Sequence, residues 1–453
     1  MATKSDLIEA QNFSRRRLLT AFTSGAPEGK ELEPAAPLRA VIAAIALTAA
    51  VVLAGVFYGL IQPGLPSGWQ NGKLIIAKDT GARYVTVDGV LHPVLNTASA
   101  RLLMPAGQFD VINTSQSNLA DIPLGSTVGI VGAPDQVPAA SALIDTGWTA
   151  CLADAAGIAV QLGEAPAATA TDRAIVVDAA GGRYVVAGGT SHLVDAASGD
   201  AVLRAAGIAA STPRAVSVDW LNLFTPGAPL APLTVTDAGD QVLGTTLRVG
   251  DVIHYSGSAE DDRFLVQSDH TLAPLSPLAW QLYQLGSGAK ATDVKDVPQS
   301  VSSGLPTAKE PAGGADWPAA GFTPLDAASR PCALLASDGQ ATRTVLAARA
   351  ASLPAPAGVS VAAGHGALVN AAGRGDQSSG LDTLIDATGT AYALPGATEQ
   401  TLQRLGYQAT DVTTVTKAWI PFFLTGPALT EFGAGGGTEG QQLSPSPTAT
   451  GAP

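Results

Sequence analysis

The residues able to do covalent chemistry are few. The 453-residue chain has two cysteines, Cys151 and Cys332, and five histidines. Two thiols allow either a disulfide or a buried free pair, and the compartment decides between them. Both lie beyond an apolar run that reads as a membrane span, so the bonded form is expected. Closing a loop of about 180 residues removes roughly 4–5 kcal/mol of unfolded-chain entropy in the simple model. His92 and His192 stand one hundred positions apart in matching strings, which points to a repeated structural hydrogen bond rather than a metal site. Asp261 and Asp262 follow Glu260 in a probable-turn composition and read as a solvated loop, not an acid–base pair. A phosphate cradle needs Gly-x-x-x-x-Gly-Lys-Ser/Thr between a strand and a helix. The nearest string, Gly286 to Lys290, lacks that spacing. Gly435-x-Gly437-x-x-Gly440 matches a dinucleotide fingerprint only as letters, because it sits in a polar tail. Neither G-x-S-x-G nor H-E-x-x-H occurs. No catalytic residue, cofactor or metal is expected, and the reading leans away from an enzyme.

The elements around these residues point to assembly. Residues 40–61 form an uncharged apolar run, AVIAAIALTAAVVLAGVFYGLI. As a helix it is about 33 Å long, against a hydrocarbon core of about 30 Å. Lys4, Arg15, Arg16, Arg17, Lys30 and Arg39 precede it, and Lys73 is the first basic residue after it. The positive-inside rule puts the N-terminus in the cytoplasm and the bulk of the chain outside. Ser14 to Leu19 also looks like a twin-arginine export signal, but the apolar stretch does not follow at once, and no A-x-A site succeeds it. An uncleaved anchor is expected, with the triple arginine as a topology determinant or a contact for anionic lipid. Gly55-x-x-x-Gly59 within the run permits close helix approach.

Beyond residue 61 stand 19 basic and 33 acidic side chains, a net charge of about −14. That excludes nucleic acid and anionic membrane surfaces as natural partners of the outer part. Gly and Pro are abundant and aromatics scarce, so small strands and short helices should build the core.

The outer part repeats itself. Sliding residues 76–94 forward by one hundred superposes Gly81, Arg83, Tyr84, Val85, Gly89, His92 and Val94 on Gly181, Arg183, Tyr184, Val185, Gly189, His192 and Val194. A third copy is expected at Asp386–Tyr392, with Gly389 and Tyr392 as its signature, and a fainter one over 263–286. Each reads as a strand, a turn with Gly, a strand carrying Tyr, and a short helix. The helices fall at 99–103, 200–206 and 399–405, with Gly207 and Gly406 as C-caps. Segments between the copies (126–132, 216–223, 241–253, 333–335 and 343–348) should supply a shared β-core holding Trp148 and both cysteines. Residues 296–317 read as a polar surface loop. The fold class is therefore α+β: one N-terminal transmembrane helix, then an outer domain with a discontinuous central β-core and about four small αβ repeats.

The strings LIIAKDTGARYV (74–85), GVLHPVLN (89–96) and ASARLL (98–103) resemble the post-membrane signature of EccB-type membrane components of ESX (type VII) secretion systems in actinobacteria. GIVGAP (129–134), WLN (220–222), 264–277, GHGALV (364–369), GPAL (426–429) and the leader QNFSRRRL (11–18) are similar to further family segments. Residues 20–37 depart from the family's charged pattern, which bears on the inner contacts. The resemblance implies a single-pass core subunit of a secretion complex. Its implied partners are an FtsK/SpoIIIE-like ATPase, a many-pass channel component and other copies of itself. It also implies four repeats about a β-core with one disulfide. The expected organisation is leader 1–39, transmembrane helix 40–61, linker 62–72, outer domain 73–432 with repeats near 74–106, 174–209, 263–286 and 381–408, and disordered tail 433–453. The alternative readings are an outward-facing ATP or nucleotide hydrolase, as some family members are labelled, and a cell-wall-binding module.

Overall fold

The computed structural model describes residues 4–24, 38–60 and 65–436, apart from positions 155, 156, 164, 291, 292, 303 and 340. Residues 25–37 of the leader, Ile61, the start of the expected linker at 62–64 and the tail from 437 lie outside the described residues. Contacts divide the chain into a unit ending at Ser67 and a second beginning at Gly68.

The first unit holds two helices, Lys4–Ser24 and Leu38–Leu60. The second starts two residues before the expected Ala40. Its stretch Leu38–Phe57 is long and apolar enough to cross a membrane, with a mean hydropathy of 2.7 and no part buried in protein. Arg39 stands in its first turn, and Arg15, Arg16 and Arg17 lie exposed on the first helix.

The second unit is built of five sheets among the described residues. The central one has the order Thr342–Ala350, Ser329–Ser337, Trp148–Leu152, Ile158–Leu162, Gly358–Val361. Four outer sheets share one plan. In the first, Leu74–Ala77, Arg83–Val87 and Val90–Pro93 form an antiparallel meander, helix Thr97–Leu103 follows, and Val111–Thr114 returns parallel to the first strand. The second uses Arg173–Ala179, Gly182–Ala187, Thr190–Leu193, helix Gly199–Ala205 and Arg214–Ala215. The third uses Val252–Tyr255, Arg263–Val266, Leu272–Leu275, helix Pro277–Leu285 and Lys295–Val297. The fourth uses Ala367–Gly373, Asp376–Ile385, Thr390–Ala393, helix Glu399–Leu405 and Thr413–Thr416. The first strands of the third and fourth sheets begin upstream of residues 263 and 381, so those two units are longer than their sequence strings suggested.

Several helix ends follow from local chemistry. Asn96 accepts the Ser99 amide, Ser276 accepts the Ala279 amide ahead of Pro277, and Thr398 forms a capping box with Thr401. Gly406 closes Glu399–Leu405 at φ 97°, the left-handed conformation that a Cβ disfavours.

One apolar core joins the central sheet to the second and fourth outer sheets. Trp148, Ala150, Ala333 and Leu335 from the centre meet Ile175, Val177 and Val186 on one side and Val369 and Ile385 on the other. The other two sheets attach through helices. Leu102 packs with Leu402 and Leu405, and Val202 and Leu203 pack with Leu278 and Leu282. In space the order is therefore first, fourth, centre, second, third.

Three expected core segments behave otherwise. Residues 126–132 form no strand and lie along the first outer sheet through the Val94–Val128 bridge. Residues 216–223 contain the helical turn Val218–Leu221, because Ser217 caps the Trp220 amide. Residues 241–253 fold into the third outer sheet. The stretch 296–317 is no free surface loop: Ala312 is buried and its amide bonds the Pro274 carbonyl at 2.8 Å.

Candidate functional site

The cysteines are built into the central sheet by register. Cys151 pairs directly with Cys332 across antiparallel strands, and their sulfurs are bonded. Alternation along the strand sends Cys151 to one face and Trp148 and Ala150 to the other. On the disulfide face Cys151, Cys332, Leu334 and Ala347 pack together. On the opposite face three tryptophans are fully buried. Trp148 meets Trp419 edge-on at 5.9 Å and Phe423 at 5.5 Å. Each indole N–H has a partner: Trp148 donates to Ile144 O at 3.0 Å, Trp220 to Ala150 O at 2.8 Å, and Trp419 to Thr344 Oγ1 at 3.0 Å. Beside the disulfide, the buried Arg330 donates to the carbonyls of Leu152, Ala351 and Leu353 and pairs with Asp154. The Asp154 carboxyl is held below its ordinary value by the Ala355 amide and then by Arg330.

The signature residues lie on the outer sheets. Gly81 and Gly181 turn the first hairpin of their sheets at φ 74° and 77°. Arg83 pairs with Asp135, and Arg183 pairs with Asp178 at 3.0 Å. Tyr84 is buried, while Tyr184 is half-buried. His92 Nδ1 contacts the Ser126 carbonyl oxygen at 3.0 Å, and His192 Nδ1 contacts that of Ala228 at 2.8 Å.

The third string needs a correction of register. Gly389 turns the second hairpin of its sheet, between Asp376–Ile385 and Thr390–Ala393, not the first. Tyr392 therefore stands at the level of His92 and His192 rather than of Tyr84 and Tyr184. Asp-x-x-Gly marks a tight turn in either hairpin, which is why the strings matched. Asp386 is buried and satisfied: it accepts the Thr388 and Thr390 amides and the Tyr392 hydroxyl. Burial, reinforced by Asp386, pushes the Tyr392 phenol up to about 12.

Position 92 and its counterparts carry a rule that the repeat strings did not disclose. Along the third strand of every outer sheet runs a later parallel segment. The amides of Gly125, Ala308, Gly227 and Gly426 donate to the carbonyls of Leu91, Leu272, Ser191 and Ala391, each at 2.9 Å. The next residue on the strand is His92, Ala273, His192 or Tyr392 respectively. Where it is a ring, the amide belongs to Gly, and a Cβ there would strike the ring; at Gly227 it would come within 2.7 Å of the His192 imidazole. Where it is Ala273, the amide belongs to Ala308.

The first and fourth outer sheets are also clasped reciprocally. Arg101 donates to Leu405 O at 2.8 Å, and Arg404 donates to Leu102 O at 2.9 Å and Met104 O at 2.8 Å. Each arginine thus satisfies carbonyls at the end of the other's helix. Neither arginine had been singled out from sequence, since the partners are some 300 positions away.

The Gly286–Lys290 string has a packing explanation. It continues from helix Pro277–Leu285 into the 3-10 turn Ser287–Lys290. A Cβ at Gly286 would meet the Leu233 backbone, and one at Gly288 the Tyr283 ring. Among the described residues, no group of three or more His, Cys, Asp or Glu side chains is placed to hold a metal.

A helix long and apolar enough to cross a membrane precedes a sheet-built body stapled by one disulfide. The family described as "Type VII secretion system ESX-1, transport TM domain B" matches residues 1–436, and the chain belongs to that family. Similar curated proteins include "ESX-3 secretion system ATPase EccB3" of Mycobacterium tuberculosis (strain ATCC 25618 / H37Rv), 29% identical over 241 residues, covering 48% of this chain and 44% of the relative. "ESX-5 secretion system ATPase EccB5" of the same strain is 32% identical over 186 residues, covering 40% and 35%. The matches thus span about half the length of these relatives or less. Among solved structures, a chain of an intact ESX-5 inner membrane complex superposes with TM-score 0.65 at 21% identity, covering 96% of this chain and 95% of that one. A chain of the EccB3 dimer from the ESX-3 core complex gives TM-score 0.63 at 26% identity, covering 80% and 99%.

Proposed function

We propose that the chain is a structural core subunit of a type VII secretion membrane complex. Helix Leu38–Leu60 anchors it, Lys4–Ser24 lies on the cytoplasmic side, and the part from Gly68 stands outside. The observation that carries this reading is a family match that runs unbroken from the leader through the anchor to residue 436. The basic residues ahead of the anchor support the orientation, and the disulfide suits an oxidising exterior. The four outer sheets are read as copies of one αβ unit around a central sheet. The outer part associates with other copies and helps form or gate the export path. An FtsK/SpoIIIE-like ATPase and a many-pass channel component are the partners inside and within the membrane. The solved relatives come from assemblies named an ESX-5 inner membrane complex and an ESX-3 core complex, which supports this reading.

The test is mild detergent extraction of the full chain from its native membrane, followed by native electrophoresis. Migration with other membrane subunits at a mass far above one chain is the expected result. A lone monomer, under conditions where the other subunits stay together, overturns the proposal.

A further inference from the structure

We infer that His254 is a proton-operated latch, holding the acidic turn 256–262 onto the third outer sheet. The geometry is three-way. Nδ1 faces Asp296 Oδ1 at 2.6 Å, and Nε2 faces the Ala259 carbonyl oxygen at 2.9 Å and Ser258 Oγ at 3.1 Å. A carboxylate and a carbonyl only accept, so both ring nitrogens must carry hydrogen, and the ring is an imidazolium. The side chain is 16% exposed.

Ser258, His254 and Asp296 have the connectivity of a nucleophilic triad, but the protonation rules that use out. A general base needs a free lone pair on Nε2. Here that nitrogen donates to Ala259, and Ser258 Oγ donates to Tyr255 O at 3.0 Å. While the ring is protonated the group acts as a clamp.

The surrounding charges reinforce it. On the parallel strand stand Asp296 and Lys295, the latter paired with Asp251 at 2.6 Å. On the antiparallel strand Arg263 is the register partner of His254 and is neutralised by Asp261 at 3.1 Å. The turn contributes Glu260, Asp261 and Asp262, and Asp262 accepts the Ala259 amide at 3.3 Å. One carboxylate, that of Asp296, touches the ring, and the cation on the facing strand is already paired.

Neutral imidazole keeps one N–H. Asp296 holds it, and the bare Nε2 then faces the Ala259 carbonyl, lone pair to lone pair. The turn loses the Ala259 contact, keeps only the Ser258 hydroxyl at 3.1 Å as a partner for Nε2, and is held less tightly. The Asp296 contact and then the Ala259 carbonyl raise the His254 value above its ordinary 6.5. A raised value means that the latch is fully closed below about pH 6.5 and opens as pH rises through the higher folded value.

The experiment is hydrogen–deuterium exchange of the full chain in detergent, corrected for intrinsic rates, between about pH 5 and 8. The peptide covering 256–262 should lose roughly tenfold in protection as pH rises, whereas that covering 295–301, held by its ladder to Val252–Tyr255, should not. His254→Gln should abolish that dependence, and Asp296→Asn should move its midpoint down. An identical profile in wild type and His254→Gln, a flat profile in wild type, or an unmoved midpoint in Asp296→Asn overturns the inference.

Discussion

The central sheet and the outer sheets solve the same burial problem differently. The centre spends large residues: three buried tryptophans, a disulfide, and Arg330 wired to three carbonyls. The outer sheets use four-residue strands in many places and fill their interiors with Val, Leu, Ile and Ala. Sheets that small are marginal alone. They depend on a helix, a parallel segment along each edge, and a neighbour to lean on. The lesson is that the outer sheets are interchangeable in plan but not in contacts, whereas the centre is unique and rigid.

The largest way to break that contrast is Trp148→Ala. It opens a cavity where the central face meets two outer sheets, and it should cost about 3–5 kcal/mol. A denaturant titration of the full chain in detergent, followed by tryptophan fluorescence, checks it. A loss below about 1 kcal/mol would mean that the centre is not the keystone.

The next test sharpens the comparison among the outer sheets. Gly227→Ala forces a methyl against the His192 ring and should cost about 1–3 kcal/mol. Ala308→Gly in the third sheet removes a methyl packed against the cluster that holds Ala273, and should cost about 1 kcal/mol or less. Equal losses in the two variants would show that the ring–glycine match does not set the packing.

The smallest effect is at the rim. Arg83 holds the Asp135 carboxyl below its usual value of 3.8. A depressed carboxylate contributes stability above that usual value and loses it as pH falls through the lower one. Asp135 is 57% exposed, so the contribution should stay under about 1 kcal/mol. Arg83→Gln should flatten this acid limb by lowering stability at neutral pH, by under about 1 kcal/mol, and leave stability at low pH unchanged, as acid titration of both proteins would read.

Much of this was legible in the chain because it is local. Thr97–Leu103, Gly199–Ala205 and Glu399–Leu405 lie within two residues of their expected spans, and Gly406 caps the last of them. The cysteine bond was the expected one of two readings, because two thiols beyond an apolar run favour a disulfide over a buried free pair. What escaped is what distance hides. Gly125, Gly227 and Gly426 sit some 35 residues from the rings that demand them, and ordinary turn glycines look the same in sequence. Arg101 and Arg404 recognise carbonyls, which leave no mark on side-chain pattern. Asp386–Tyr392 was placed on the wrong hairpin because turn chemistry is shared by both.

One feature reaches beyond stability. The bond between Cys151 and Cys332 spans a sequence separation of 181, and the whole of the second and third outer sheets hangs within that covalent ring. A protease that nicks an exposed peptide bond anywhere inside it leaves two pieces that still travel as one until a reductant is added. Such damage accumulates silently, with no fragment shed.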